Sequence, residues 1–302
     1  MEGMNYQEIK ITSDICLIDA MSNAFPDSSK STLKKWIVHR RVILKGKPVV
    51  KTNDPLKEGD TLRFYEKKRI GAKKLAILYS DNHIIVVDKP CSLLSVATYY
   101  EQDDTVHDIL KQSKTHARVF PVHRLDRETS GVMVFATTNI AREALTEQFH
   151  RHSIEREYHA IVEGVAQDEQ GTWAHKLLED ANYMMKPNTR GVMSVTHFNR
   201  ALVSKKYSYL ICHLETGKKN QIRVGASLAG HPIVGDVKYG AAPSPIGRLG
   251  LHAHSLGFQH PMTGKYMFFN SIVPPLFMRL FPAEKDFFMN LNSRDACEKV
   301  IS

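Results

Sequence analysis

The feature that most constrains this chain is a charged nine-residue string, His123-Arg-Leu-Asp-Arg-Glu-Thr-Ser-Gly131, running directly into the apolar stretch Val132-Met-Val-Phe-Ala136. A short apolar run of this kind reads as a buried strand. Asp126 then lies in a loop at the mouth of a sheet, between the guanidinium groups of Arg124 and Arg127. A rigid strand fixes the position of such a group while solvent and substrate still reach it, which is where catalytic side chains tend to sit. An arbitrary Asp flanked by Arg is more simply a salt-bridged loop carboxylate. The rest of the chain has to decide between the two.

Its 302 residues suffice for one large domain, or a medium one plus a small one. The longest apolar runs are four or five residues, so no membrane-spanning helix is expected. Residues 1–8 show neither a basic segment nor an apolar core of the secretory type. Cys16, Cys91, Cys212 and Cys297 are scattered, with no pair at metal-ligand or redox spacing. Reduced thiols in a cytoplasmic protein are expected.

The net charge of +9 is unevenly spread. Residues 30 to 74 hold 15 Lys or Arg against 4 Asp or Glu, a balance of +11, so the remainder is slightly acidic. A solvated basic face is the simplest account of a charge run, but an excess this concentrated points to a polyanion. Nucleic acid is favoured over membrane because no strongly amphipathic helix accompanies the charge. Within the segment, Ser31 reads as the N-cap of a short helix with Leu33, Trp36 and Ile37 on one face. Val42 to Val50 reads as two strands around a Gly46 turn, and Thr61 to Tyr65 as another strand. Lys30, Lys34, Lys35, Arg40, Arg41, Lys45 and Lys47 are the candidate RNA contacts. This order of elements resembles the small RNA-binding module of the ribosomal-protein-S-four type, with a core at about 14–66. Ser29-Lys30 replaces the usual Ser-Arg, and Arg40-Arg41 replaces the usual Gly. Lys67 to Lys74 is the linker candidate.

Beyond residue 75 the chain alternates apolar strands with occasional helices. Ala76 to Tyr79 and Ile84 to Val87 read as paired strands ended by Lys89-Pro90, and Asn139 to His152 as a helix through Ala141, Leu145 and Phe149. Here the nine-residue string resembles the signature of the RluA-type pseudouridine synthases, His-Arg-Leu-Asp-x-x-Thr-Ser-Gly. Three further strings are similar to that family in the same order. They are Arg156-Glu-Tyr158-His-Ala, then Thr216-Gly217-Lys-Lys-Asn-Gln221-Ile-Arg223, then Pro232-Ile-Val-Gly235-Asp236 with Tyr239-Gly240, Leu251-His-Ala253 and Phe258-Gln-His-Pro261.

The resemblance implies an α+β fold: a mixed, mainly antiparallel central sheet with flanking helices, plus a small α/β RNA-binding domain at the N-terminus. The expected domains are 1–70 and 71–302. It also implies isomerisation of uridine in RNA, with ribosomal RNA of the large subunit as substrate and transfer RNA as the alternative. No atoms enter and no electrons leave in that reaction, so no metal or other cofactor is expected. Asp126 would be the carboxylate at the sugar, as nucleophile, base or stabiliser of positive charge. Arg223 would be the cation that favours its ionised form, and Tyr158 a ring that stacks on uracil. Arg124 would fill the space left by the extruded base, with His123 and Thr129 beside it on the RNA side. Two departures stand out: Asn220 replaces the family's His, and Ser92 replaces the Gly of its Lys-Pro-x-Gly turn, which suggests a different turn there.

Other chemistries compete poorly. The pairs His150/His152 and His252/His254 are alternate residues with no acidic or Cys ligand at familiar spacing, so no zinc site is expected. A glycosidase would need a second carboxylate that cannot be named. A non-catalytic RNA-binding protein with the same fold is the remaining alternative, and the joint presence of Asp126, Tyr158 and Arg223 argues against it. A monomer without membrane contact is expected.

Overall fold

The computed structural model describes residues 6–38, 41–49, 51–65, 75–98, 105–113, 115–181, 183–294 and 299–300. Arg40, Cys297 and the whole Lys67 to Lys74 stretch lie outside these, as do the side chains of Lys35 and Lys47. The chain divides into two compact units, Met1–Gly71 with Ala97–Asp104, and Ala72–Val96 with Thr105–Ser302.

The first unit holds β1 (Tyr6–Lys10), β2 (Ile15–Cys16), α1 (Leu17–Ala24), α2 (Lys30–Val38), β3 (Val42–Leu44), β4 (Lys47–Pro48), β5 (Pro55–Leu56) and β6 (Thr61–Tyr65). Strands β1-β6-β3-β4 form a sheet, and β2 pairs with β5. Leu17, Met21, Leu33, Ile37, Val42 and Leu62 bury one shared core. Helix α2 starts two residues earlier than the sequence suggested. Ser29, not Ser31, is the cap, because its Oγ accepts from the Thr32 N–H at 3.2 Å. Lys45 and Gly46 take positive φ (50° and 78°) and close the β3–β4 hairpin.

The second unit holds β7 (Ala76–Ser80), β8 (Ile84–Lys89), α3 (Val106–Gln112), β9 (Phe120–Pro121), β10 (Ser130–Ala136), α4 (Asn139–His150), β11 (Glu155–Glu163) and β12 (Gln170–Glu179). It continues through β13 (Met185–Pro187), β14 (Val192–Val203), β15 (Tyr207–Leu214), α5 (Gln221–Leu228), β16 (Leu251–Gln259), β17 (Tyr266–Asn270), α6 (Lys285–Arg294) and β18 (Lys299–Val300). One sheet runs β13-β12-β14-β15-β11-β16-β10-β8-β7, with β9 on β10 and β17 between β16 and β18. Its pairings are antiparallel except β10 with β16, which is parallel. This is the expected mixed, mainly antiparallel sheet.

Every residue of β10 is buried. Helix α4 lays Ala141 and Leu145 against Val132, Val134 and Ala136, while His107 of α3 stacks on Phe135. Burial of each such side chain contributes roughly 1.5–3 kcal/mol, which makes β10 a rigid base for the loop before it. Helix α4 stops at His150 rather than His152, since His152 turns left-handed (φ 56°). Gly131 is required where β10 meets β16: a Cβ there would lie 2.0 Å from the Ala253 carbonyl oxygen, and its φ is +119°.

Candidate active site

The loop that carries Asp126 is clamped from below. Ser95 Oγ donates to the Leu125 carbonyl (2.8 Å) and accepts from the Leu125 N–H (3.0 Å). The Thr129 N–H donates to the Asp126 carbonyl at 3.1 Å. Lys89, fully buried at the end of β8, donates from Nζ to the carbonyls of Pro90, Leu93 and Arg127 at 3.0, 2.6 and 3.0 Å. Burial lowers the Lys89 pKa to about 8. Ser92 stands in the left-handed conformation (φ 66°) that glycine adopts without steric cost, and its Oγ donates to Glu128 Oε2 at 3.0 Å. Loss of that Gly therefore leaves a left-handed turn, stitched by a hydroxyl, in place of the different turn expected.

Helix α5 supplies the groups facing Asp126. Arg223 donates from Nη1 to Asp126 Oδ2 at 3.2 Å. Its other edge is held by Asp236, with Nε to Oδ2 at 2.6 Å and Nη2 to Oδ1 at 2.7 Å. Burial opposes the Arg223 charge, but the Asp236 hydrogen bonds and charge, then Asp126, more than offset it, so its pKa is raised. The guanidinium is thus fixed by one buried carboxylate so that it points at another. Asn220, at the start of α5, donates from Nδ2 to Asp126 Oδ2 at 2.6 Å. It is left-handed (φ 53°), a conformation Asn tolerates better than most residues. The Tyr239 hydroxyl accepts from the Met185 N–H and donates to Asn220 Oδ1, both at 3.2 Å. Asn220, which stands where the family has His, thus supplies Asp126 with a hydrogen-bond partner.

The turn before α5 is held by Gln221. Its Oε1 accepts from Thr216 Oγ1 (2.7 Å) and the Lys218 N–H (2.9 Å), and its Nε2 donates to the Val195 carbonyl and to Thr196 Oγ1. Gly217 lets Arg156 pass close by, since a Cβ there would lie 2.5 Å from Arg156 Nη1.

Asp126, Tyr158 and Arg223 line one cavity of about 220 Å³ together with Arg124, Leu125, Thr129, Lys218 and Asn220. Tyr158 enters from β11, between Cys212 and Ala253 on the neighbouring strands. Burial raises its phenol to about 12, so the hydroxyl keeps its proton at neutral pH. Arg124 is exposed and lines the cavity and an adjoining basic cleft with His150, His152 and Arg156. Thr129 is 2% exposed. His123 turns inward: its Nε2 accepts from the Val134 N–H at 3.0 Å and its ring stacks on Phe149 at 4.7 Å. That nitrogen serves the fold rather than an RNA group. Burial, reinforced by Arg156, pushes the imidazole down to about 3.

In the N-terminal unit, Lys30 and Lys34 are exposed, and Lys30 pairs with Asp19 at 3.4 Å. Lys45 is bound to Asp60 at 2.9 Å. Arg41 donates from Nε to the Tyr65 carbonyl and lies over the Trp36 ring at 4.7 Å. Asp236, Tyr239, Lys89 and Ser95 were not singled out from sequence for roles at the site. Asp236 and Tyr239 left a trace only as members of a motif string, and Lys89 only as the end of a strand.

The fold is shared with the solved structure of human RNA pseudouridylate synthase domain containing 4, at a TM-score of 0.59 and 23% identity over 71% of this chain and 95% of that one. The family model for RNA pseudouridylate synthase matches residues 83–228. Ribosomal large subunit pseudouridine synthase D of Xanthomonas campestris pv. campestris is 32% identical over 292 residues, covering 88% of each chain. The protein of that name from Escherichia coli K12 is 31% identical, over 85% of this chain and 87% of its own length. The uncharacterized RNA pseudouridine synthase YhcT of Bacillus subtilis is 30% identical, over 78% of this chain and 82% of its own length. The chain belongs to the RNA pseudouridylate synthase family. Among the described residues no helix is long and apolar enough to cross a membrane.

Proposed function

We propose that this protein converts one or more uridines of large-subunit ribosomal RNA to pseudouridine, with Asp126 as the catalytic carboxylate. The reading is carried by one observation: a part-exposed carboxylate held by Arg223 and Asn220 in a cavity that Tyr158 also lines. The reaction breaks the bond from uracil nitrogen to the ribose anomeric carbon and rejoins the base through carbon five. Any role for Asp126 in that exchange needs a carboxylate held facing the sugar, and two donors on one oxygen fix that orientation. Tyr158 gives the base a flat, protonated partner. The substrate follows from the relatives, several of which bear the name of a ribosomal large subunit pseudouridine synthase.

The N-terminal unit, residues 1–70, serves as an RNA-binding module of the S-four type, with Lys30 and Lys34 making phosphate contacts that position RNA without reading its sequence. The protein works in the cytoplasm as a monomer. Mapping pseudouridines in ribosomal and transfer RNA from cells with and without the gene tests the substrate. Loss of sites in transfer RNA alone would move the assignment there. With purified protein, Asp126→Asn is expected to abolish product formation while RNA affinity stays within about twofold, because affinity rests on phosphate contacts. Turnover by that variant near the wild-type rate would remove Asp126 from the mechanism.

A further inference from the structure

Behind Tyr158, on the opposite face of the sheet, Glu157 and His159 of β11 meet imidazoles from both neighbouring strands. His159 Nε2 lies 2.9 Å from Glu157 Oε1, and His254 Nε2 of β16 lies 3.9 Å from the same oxygen. His213 of β15, directly opposite Glu157 in the register, has its Nε2 3.7 Å from Glu157 Oε2. A bulge produces this convergence. Glu157 pairs with Ser255 but Tyr158 pairs with Ala253, so His254 is the extra residue on β16, and a bulge re-aims a side chain. The alternation expected for His252 and His254 is therefore broken: His252 bonds Ser130 Oγ at 2.8 Å, while His254 turns to Glu157.

We infer that Glu157, His159 and His254 form a binding site for a divalent transition-metal ion of the zinc type, with His213 as the fourth ligand at its open edge. Two imidazoles, a carboxylate and a third imidazole are the donor set such ions take. The three core donor atoms lie within 4.8 Å of one another. Donors on one tetrahedral zinc lie about 3.3 Å apart, given bonds of about 2.0 Å. The gaps from the Glu157 oxygens to the nitrogens of His159, His213 and His254, 2.9, 3.7 and 3.9 Å, lie either side of that distance.

The outer nitrogens are already engaged, as the far nitrogen of a metal-bound His usually is. His159 Nδ1 meets the Tyr209 hydroxyl at 2.7 Å, and His254 Nδ1 donates to the Ser271 carbonyl at 3.0 Å. The Ser271 carbonyl only accepts, so a neutral His254 carries its proton on Nδ1 and directs the Nε2 lone pair toward Glu157. The two rings stack at 4.0 Å, and coordination requires the His254 ring to turn out of that stack. His159 and His254 are buried, whereas Glu157 is 28% and His213 50% exposed, which gives the ion a way in. A bound ion would tie β11, β15 and β16 together directly behind Tyr158.

The test uses the full chain, stripped with chelator and titrated with zinc by calorimetry and with cobalt(II) by visible absorption. One ion per chain is expected, with a rise in Tm on zinc addition. Glu157→Gln and His254→Gln should each weaken binding at least tenfold and lose the Tm rise. His213→Ala, a surface change, should weaken it less and alter the cobalt spectrum. His116→Ala, outside this cluster, should leave zinc binding unchanged. Failure of the wild type to bind one equivalent, or equal binding by wild type, Glu157→Gln and His213→Ala, would overturn the proposal.

Discussion

Asn220 donates its amide to Asp126 Oδ2 at 2.6 Å, closer than the 3.2 Å contact from Arg223 to the same oxygen. The amide cannot be turned around. A carboxylate only accepts, so Nδ2 must face Asp126, and the Tyr239 hydroxyl, itself accepting from the Met185 N–H, fills the other side. A backbone N–H is thus linked through a phenol and an amide to the carboxylate.

Removing that donor should slow the reaction without unfolding the protein. Asn220→Gly keeps the left-handed conformation at no steric cost and deletes only the side chain. A charge-assisted hydrogen bond contributes about 1.5–3 kcal/mol, so kcat/KM should fall about 10- to 100-fold. Asn220→Asp, which sets one carboxylate against another, should lose more, and Tyr239→Phe less. Single-turnover rates for the three variants test this order. A wild-type rate for Asn220→Gly would leave Asn220 as a turn residue only.

The second prediction concerns acid stability. His123 holds an imidazole at about 3 in the folded protein, against about 6.5 when unfolded. Above pH 6.5 both states are neutral and the group has no effect. Between 6.5 and about 3 the unfolded chain binds a proton that the folded one refuses, so stability falls as pH falls. The loss is on the order of a few kcal/mol, and His159, held at about 4 chiefly by burial, adds to it. His123→Gln can still accept from the Val134 N–H. It should flatten the slope of unfolding free energy against pH by up to about one proton between pH 6 and 4. Denaturant melts at stepped pH measure this, and an unchanged slope would contradict the inward placement of His123.

The third prediction addresses the basic unit. Lys30→Gln with Lys34→Gln should weaken RNA binding similarly for unrelated sequences. The slope of log affinity against log salt should become shallower by about 1.4–1.8, the release expected from two phosphate contacts. A parallel line, with the same slope, would mean these lysines do not touch RNA.

What the sequence disclosed and what it hid divide along a physical line. β10 was legible because a buried central strand needs a continuous apolar run, and α4 because its apolar positions follow one face. Asp126, Tyr158 and Arg223 were legible through motif strings, since each sits in a local pattern. The support around them was not. Asp236 and Tyr239 reach the site only through tertiary contacts, and Lys89 looks like any strand-end lysine until its three carbonyl partners are in place. Likewise, cross-strand register and a one-residue bulge assemble Glu157, His159, His213 and His254, and neither is written in sequence spacing.

The last prediction concerns how the uridine reaches Asp126. A carboxylate seated in a cavity cannot touch a ribose carbon inside a stacked helix, so the nucleotide must leave its stack. Extrusion costs about a few kcal/mol, least where pairing is weak. Arg124 is exposed where the cavity adjoins the basic cleft, and a guanidinium plane there can stack in the space the base vacates. Arg124→Ala should therefore lose more activity on a structured stem-loop than on an unstructured oligonucleotide of the same sequence. The measurement is the ratio of single-turnover rates on the two substrates, wild type against variant, at saturating protein. A ratio that rises several-fold in the variant supports the stacking role. An equal loss on both substrates would assign Arg124 to phosphate binding, because a phosphate contact is indifferent to whether the base was stacked.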